Sequence, residues 1–168
     1  YVRVQNIDKK SIKFFEKEYQ TAKGKFDLYV LFNELSCEKL INEKGLICFI
    51  QPHRFISADF GKGLRNYFNE NRYLSKIISF SDIDVFESAN TYTGIFFLQK
   101  NNKNSLEYYE FQNVTNKVIE EKLSQIDVFQ KIEYANLKDS WTLKNNDISN
   151  VLDKVRQEKT LNYYSKNI

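Results

Sequence analysis

The residues that could hold a metal ion are two cysteines, Cys37 and Cys48, and one histidine, His53. The cysteines lack the spacing of a ligand pair, and a single histidine cannot complete a site, so no metal centre is expected. Both cysteines fall on apolar segments and read as buried free thiols in a reducing cytoplasm. His53 follows an apolar run and Pro52, and reads as a strand-end surface residue rather than a catalyst. Lys62, Arg65, Arg72 and Lys76 form a loose basic set. A solvated helix face is the ordinary reading of such a set, and phosphate contact is the other. The formal net charge of +3 permits nucleic-acid contact without requiring it.

The elements that must position these residues can be read from pattern. With 168 residues, the chain is long enough for one domain with a core. At 42% hydrophobic and 15% aromatic it is too apolar to be disordered. Methionine is absent, including at position 1. The chain is therefore expected to be a piece of a longer translation product, or to carry a processed or engineered N-terminus. Its longest apolar runs fall far below the roughly 20 residues that span a bilayer. Residues 8–24 are polar and Lys-rich, and predict a loop with a short helix. Apolar residues at 28, 31, 32, 35, 40 and 41 give a helical period that stops at Lys44-Gly45. The unbroken apolar run 46–50 predicts a strand covered on both faces, ended by Pro52. Ser57 reads as the N-cap of a helix carrying Phe60, Leu64 and Phe68. Segments 74–80 and 91–98 predict two strands whose connection is too short for a helical crossover, so they should run antiparallel. A fourth strand is expected around 106–111, a weak amphipathic helix over 114–126, a short strand near 131–135, and a helix built on Ile148, Val151, Leu152 and Val155. Helix–strand–helix–strand–strand is part of a three-layer α/β sheet.

Four stretches carry a resemblance. They are Tyr1-Val2-Arg3, then Asp27-Leu28-Tyr29 with Phe32, then the run from Leu46 to Pro52 with Phe55, then Asp84-Val85-Phe86 through Tyr92-Thr93. In this order and spacing the chain resembles the adenine-N6 DNA methyltransferases of the TaqI-like and type IIG restriction–modification group. Trp141-Thr142-Leu143, Lys154 and Thr160-Leu161 resemble that group's link to a target-recognition domain. The resemblance implies that Tyr1 is the last residue of an Asn-Pro-Pro-Tyr catalytic motif whose other residues lie upstream. Residues 1–112 would be the C-terminal half of a Rossmann-like S-adenosylmethionine-dependent catalytic domain, with a mixed sheet and an antiparallel hairpin. Residues 113–168 would be a peripheral extension and the start of the linker. Strands 46–50, 74–80 and 91–98 would be the fifth, sixth and seventh of that fold, the seventh lying between the other two.

The implied chemistry is methyl transfer from S-adenosylmethionine to an adenine amino group in double-stranded DNA. A stacked base cannot reach a methyl donor, so the adenine must be flipped out at a cost of a few kcal/mol. Stacking on aromatic faces returns about 1–3 kcal/mol per base. The resemblance assigns this stacking to Tyr1, also the catalytic-motif residue, and to Phe86. It assigns Phe32 to the cofactor's adenine and Arg3 to the DNA backbone. Each has a structural alternative: a frayed terminus for Tyr1, a loop anchor for Phe86, a core position for Phe32. The competing function is a noncatalytic α/β DNA-binding or scaffold module with a degenerate site.

Overall fold

The computed structural model describes residues 2–81, 83–86, 91–100, 103–137 and 140–143. Tyr1, the expected helix on Ile148 to Val155, Lys154 and Thr160-Leu161 lie outside the described residues. The elements are α1 (Lys9–Glu18), α2 (Leu28–Leu35), β1 (Ile47–Pro52), α3 (Lys62–Asn71), β2 (Leu74–Ser79), β3 (Thr93–Leu98), β4 (Ser105–Glu110), α4 (Asn116–Leu123) and β5 (Gln130–Glu133). They form a mixed α/β arrangement around one five-stranded sheet of order β1-β3-β2-β4-β5.

The register follows the expected pattern. β3 pairs antiparallel with β1 on one side (Ile50 opposite Ile95) and with β2 on the other (Ile77 opposite Phe96). β1 and β2 therefore run in the same direction and are separated by the later strand. β4 lies parallel to β2, and β5 antiparallel to β4. The carboxyl ends of β1, β2 and β4 thus share one rim of the sheet with the first residue of β3.

The two faces are packed differently. On one face Phe55, Leu64, Tyr67 and Phe68 pack against Ile77, Phe96, Leu98 and Leu106, and Trp141 and Leu143 close the same core. On the other, Ile78, Phe80 and Phe111 pack under Ile119 of α4, with Ile83, Val85 and Phe129 around them. This second layer stops short of β1. Leu46 and Ile50 are 58% and 52% exposed, and Cys48 is exposed as well. Among the described residues β1 is thus covered on one face only, contrary to the expectation from its unbroken apolar run. The reading of both cysteines as buried is corrected for the same reason: Cys37 is buried, and Cys48 points to the open face.

Two other expectations change. Ser57 does not cap α3. It ends a 3-10 turn, Arg54–Ile56, and a second such turn, Asp59–Gly61, precedes the helix. The two turns fold onto each other because Gly61 has no side chain: a Cβ there would lie 2.0 Å from the Phe55 carbonyl oxygen. The four basic residues do not form one solvated face. Arg65 is 3% exposed and donates to the Phe55 and Ala58 carbonyls, fastening those turns. Arg72 ends α3 in the left-handed region (φ 57°) and donates to Asn104. Lys76 pairs with Glu107 at 3.0 Å and lies 4.1 Å over the Phe129 ring.

Candidate functional site

In α/β sheets ligands gather outside the carboxyl ends of the strands. Here that rim collects the N-terminal segment, the start of α2, the turn after β1 and the loop after β2. The N-terminal segment is tied down by backbone hydrogen bonds: the Val4 N–H donates to the Phe26 carbonyl at 3.0 Å, and the Leu28 N–H to the Val2 carbonyl at 2.9 Å. Arg3 and Asp27 thereby stand opposite each other. Asp27 is 8% exposed at the N-cap position of α2. Burial pushes its carboxyl above the usual carboxylate range, and Arg3 and Arg54 pull it back. Arg3 itself remains exposed.

α2 presents Phe32 outward. Its neighbours Tyr29, Val30, Leu31, Asn33 and Glu34 are buried, while Phe32 is 54% exposed. Phe32 therefore does not fill the core position that its place in the helical pattern suggested. Two buried polar contacts hold the helix in this orientation. The Asn33 amide donates to the Tyr29 carbonyl at 2.7 Å and to Gln51 Oε1 on β1 at 2.8 Å. The Glu34 carboxylate accepts the backbone N–H groups of Gln20 and Thr21 at 3.1 and 2.9 Å, anchoring the α1–α2 connection. A buried polar group without a partner costs about 1–3 kcal/mol, so these contacts fix which way the helix faces.

Phe86 lies on the loop after β2. That loop turns at Ser81 (φ 53°), and the Ile83 N–H donates to the Phe80 carbonyl at 3.0 Å. Ile83 and Val85 pack into the second core, and the Asp84 carbonyl accepts from the Asn116 amide. These residues are the loop's anchors, and Phe86 is left 43% exposed beside them. An exposed flat ring on an anchored loop is available for stacking.

His53 is half-buried, so the reading as a surface residue is corrected. Its Nδ1 lies 3.1 Å from Ser79 Oγ, and its backbone N–H donates to the Tyr92 carbonyl at 3.1 Å. Reaching from the end of β1 to the end of β2 means crossing β3. The β3 residue paired with Ser79 is Gly94, which puts no side chain in the way. Burial holds the imidazole below its ordinary pKa, against the pull of Glu110. The Asn33–Gln51 and His53–Ser79 contacts were not anticipated from sequence. The available signals were an amide inside the apolar stretch of α2 and a glutamine ending the apolar run of β1. Among the described residues no group of three or more His, Cys, Asp and Glu side chains could hold a metal ion, and no helix is long and apolar enough to cross a membrane.

Residues 1–86 match the family described as Eco57I restriction-modification methylase, and the chain belongs to that family. It is 38% identical over 110 residues to the type II restriction enzyme and methyltransferase RM.Eco57I of Escherichia coli, a match covering 66% of this chain and 11% of that protein. It is 33% identical over 103 residues to the type II methyltransferase M.BstVI of Geobacillus stearothermophilus, covering 61% of this chain and 18% of that one. The chain thus spans under a fifth of the length of either relative. In fold it resembles the DrdV chain of a DrdV–DNA complex, with TM-score 0.61 and 17% identity over 84% of this chain and 17% of that one.

Proposed function

We propose that the chain forms part of the catalytic domain of a restriction–modification DNA methyltransferase that transfers a methyl group from S-adenosylmethionine to the N6 amino group of a flipped adenine. The observation that carries this reading is the pair of rings left outside the core. Phe32 and Phe86 are both exposed while the residues beside them are buried or anchored. The resemblance assigns Phe32 to the cofactor's adenine and Phe86 to the target base. Family membership weighs against a noncatalytic scaffold.

S-adenosylmethionine, when bound, supplies the methyl group. The exposed face of Phe32 fits one wall of an adenine-binding pocket, and the Asn33–Gln51 contact orients it. The remaining walls are assigned to strands that precede β1 in the family's fold. Phe86 supplies one stacking face for the extrahelical base, and Tyr1, by its place in the resemblance, supplies the other. Acceptors for the adenine amino protons belong to the Asn-Pro-Pro that would precede Tyr1. Such acceptors help the amino group pyramidalise as charge develops. Arg3 contacts the DNA backbone. Residues 1–112 are assigned to the catalytic domain, and 113–168 to an extension leading toward a target-recognition domain. The protein works in the cytoplasm, on double-stranded DNA.

Calorimetry on the intact protein that carries this segment tests the cofactor arm. Phe32→Ala should weaken S-adenosylmethionine binding and leave DNA binding unchanged. An intact protein that binds no S-adenosylmethionine would overturn the proposal.

A further inference from the structure

Two clefts adjoin on the rim side. One, of about 220 Å³, is lined by Arg3, Lys25, Asp27 and Arg54, among others. The second, of about 800 Å³, runs between the α1–α2 connection and the first turns of α3, and Lys23, Gly24 and Lys25 line it. Lys25 and Phe60 belong to both, so the two form one groove. Its exposed cations come from four separate stretches of chain: Arg3 from the N-terminal segment, Lys23 and Lys25 from the α1–α2 connection, Arg54 from the turn after β1, and Lys62 from the start of α3.

The connection is shaped to present its two lysines. Gly24, between them, adopts φ 62° with open space around it, a conformation that only glycine takes freely. The connection cannot drift, because Glu34 holds Gln20 and Thr21 by their backbone N–H groups. The acids of the groove are distributed unevenly. Asp27, at the Arg3 end, is buried, and burial raises its carboxyl while Arg3 and Arg54 pull it back. Asp59 and Glu70 lie in the larger cleft beside α3. The Arg3–Lys25–Arg54 end sets three cations against one acid, whereas the cleft beside α3 sets Lys23, Lys25 and Lys62 against two, so the end nearest the rim is the more positive one.

We propose that this groove holds the sugar–phosphate backbone of the DNA strand beside the target nucleotide, with Lys23, Lys25 and Arg54 extending the contact begun by Arg3. The inference rests on the DNA methyltransferase reading above. Contacts of this kind position a protein on the duplex and carry no sequence information.

The test is equilibrium binding of the intact protein to cognate and unrelated duplexes over a series of salt concentrations, comparing wild type with the triple variant Lys23→Ala/Lys25→Ala/Arg54→Ala. Each phosphate that is no longer neutralised should reduce the slope of log K against log salt by about 0.9, so the triple variant should fall short by about 2 to 3 units. Both duplexes should weaken alike, and S-adenosylmethionine affinity should not change. The charge-preserving variant Lys23→Arg/Lys25→Arg should keep the wild-type slope. An unchanged slope in the triple variant overturns the groove assignment, as does a weakening confined to the cognate duplex. A wild-type protein that binds DNA with a steep salt slope but methylates no adenine overturns the methyltransferase reading and leaves the groove standing.

Discussion

Replacing Phe86 by alanine separates the two roles open to that residue. The ring is 43% exposed, and its loop is held by Ile83, Val85 and the Asp84 carbonyl rather than by Phe86 itself. Its removal should therefore cost little stability, within about 0.5 kcal/mol, as for other surface substitutions away from special features. The functional loss should be larger. One base–aromatic stack is worth about 1–3 kcal/mol, which at 1.4 kcal/mol per factor of ten is roughly a fivefold to 150-fold weaker hold on the flipped adenine. Phe86→Trp should restore most of it, since only a flat face is required. The assay pairs 2-aminopurine fluorescence at the target position with the single-turnover methylation rate, alongside thermal unfolding and S-adenosylmethionine affinity. Flipping and methylation left intact by Phe86→Ala would refute the stacking role. Collapse of the fold together with cofactor binding would move Phe86 into the core and refute the structural premise.

Three further outcomes follow from the same contacts. If a further layer covers the open face of β1 in the intact protein, Cys48 should resist a thiol reagent until the protein is denatured, and rapid native labelling of Cys48 would show that this face stays uncovered. Cys37 should resist in either case, because burial raises its thiol to about 12. Since His53 titrates below its ordinary value in the folded chain, its contribution to stability is complete above about pH 6.5 and is lost as pH falls through the lower folded-state value. Denaturant titrations at several pH values should show this component vanish in His53→Asn, and an unchanged pH profile would contradict the buried position. Gln51→Leu leaves the Asn33 amide short of one partner, which should lower stability by about 1–3 kcal/mol and raise the KM for S-adenosylmethionine more than it lowers kcat. An unaltered KM would show that the contact does not orient Phe32.

Only part of the strand order was legible from a local constraint. A short connection between 74–80 and 91–98 admits only antiparallel pairing, and the resemblance supplied the placement of β3 between β1 and β2. What pattern could not give was which face of each element would find a partner. Phe32 and Ile50 sit in apolar runs as good as any core segment, yet both are exposed among the described residues. Hydrophobicity reports that a surface should be covered, not by which stretch of chain. Arg65 failed as a surface residue for the converse reason. Its charge signalled solvent, but two carbonyls of the 3-10 turns that Gly61 brings together made a buried socket for it. The Asn33–Gln51 contact joins residues 18 positions apart, beyond the reach of any periodicity.

The chemical identity of the product decides whether this chain serves an adenine-N6 methyltransferase. Duplex DNA treated with the intact protein and radiolabelled S-adenosylmethionine is digested to nucleosides and separated by chromatography. Label is expected in N6-methyldeoxyadenosine, reduced by Phe86→Ala and largely restored in Phe86→Trp. Label in a methylated cytosine, or no transfer from an enzyme shown to bind both DNA and cofactor, would contradict the assignment.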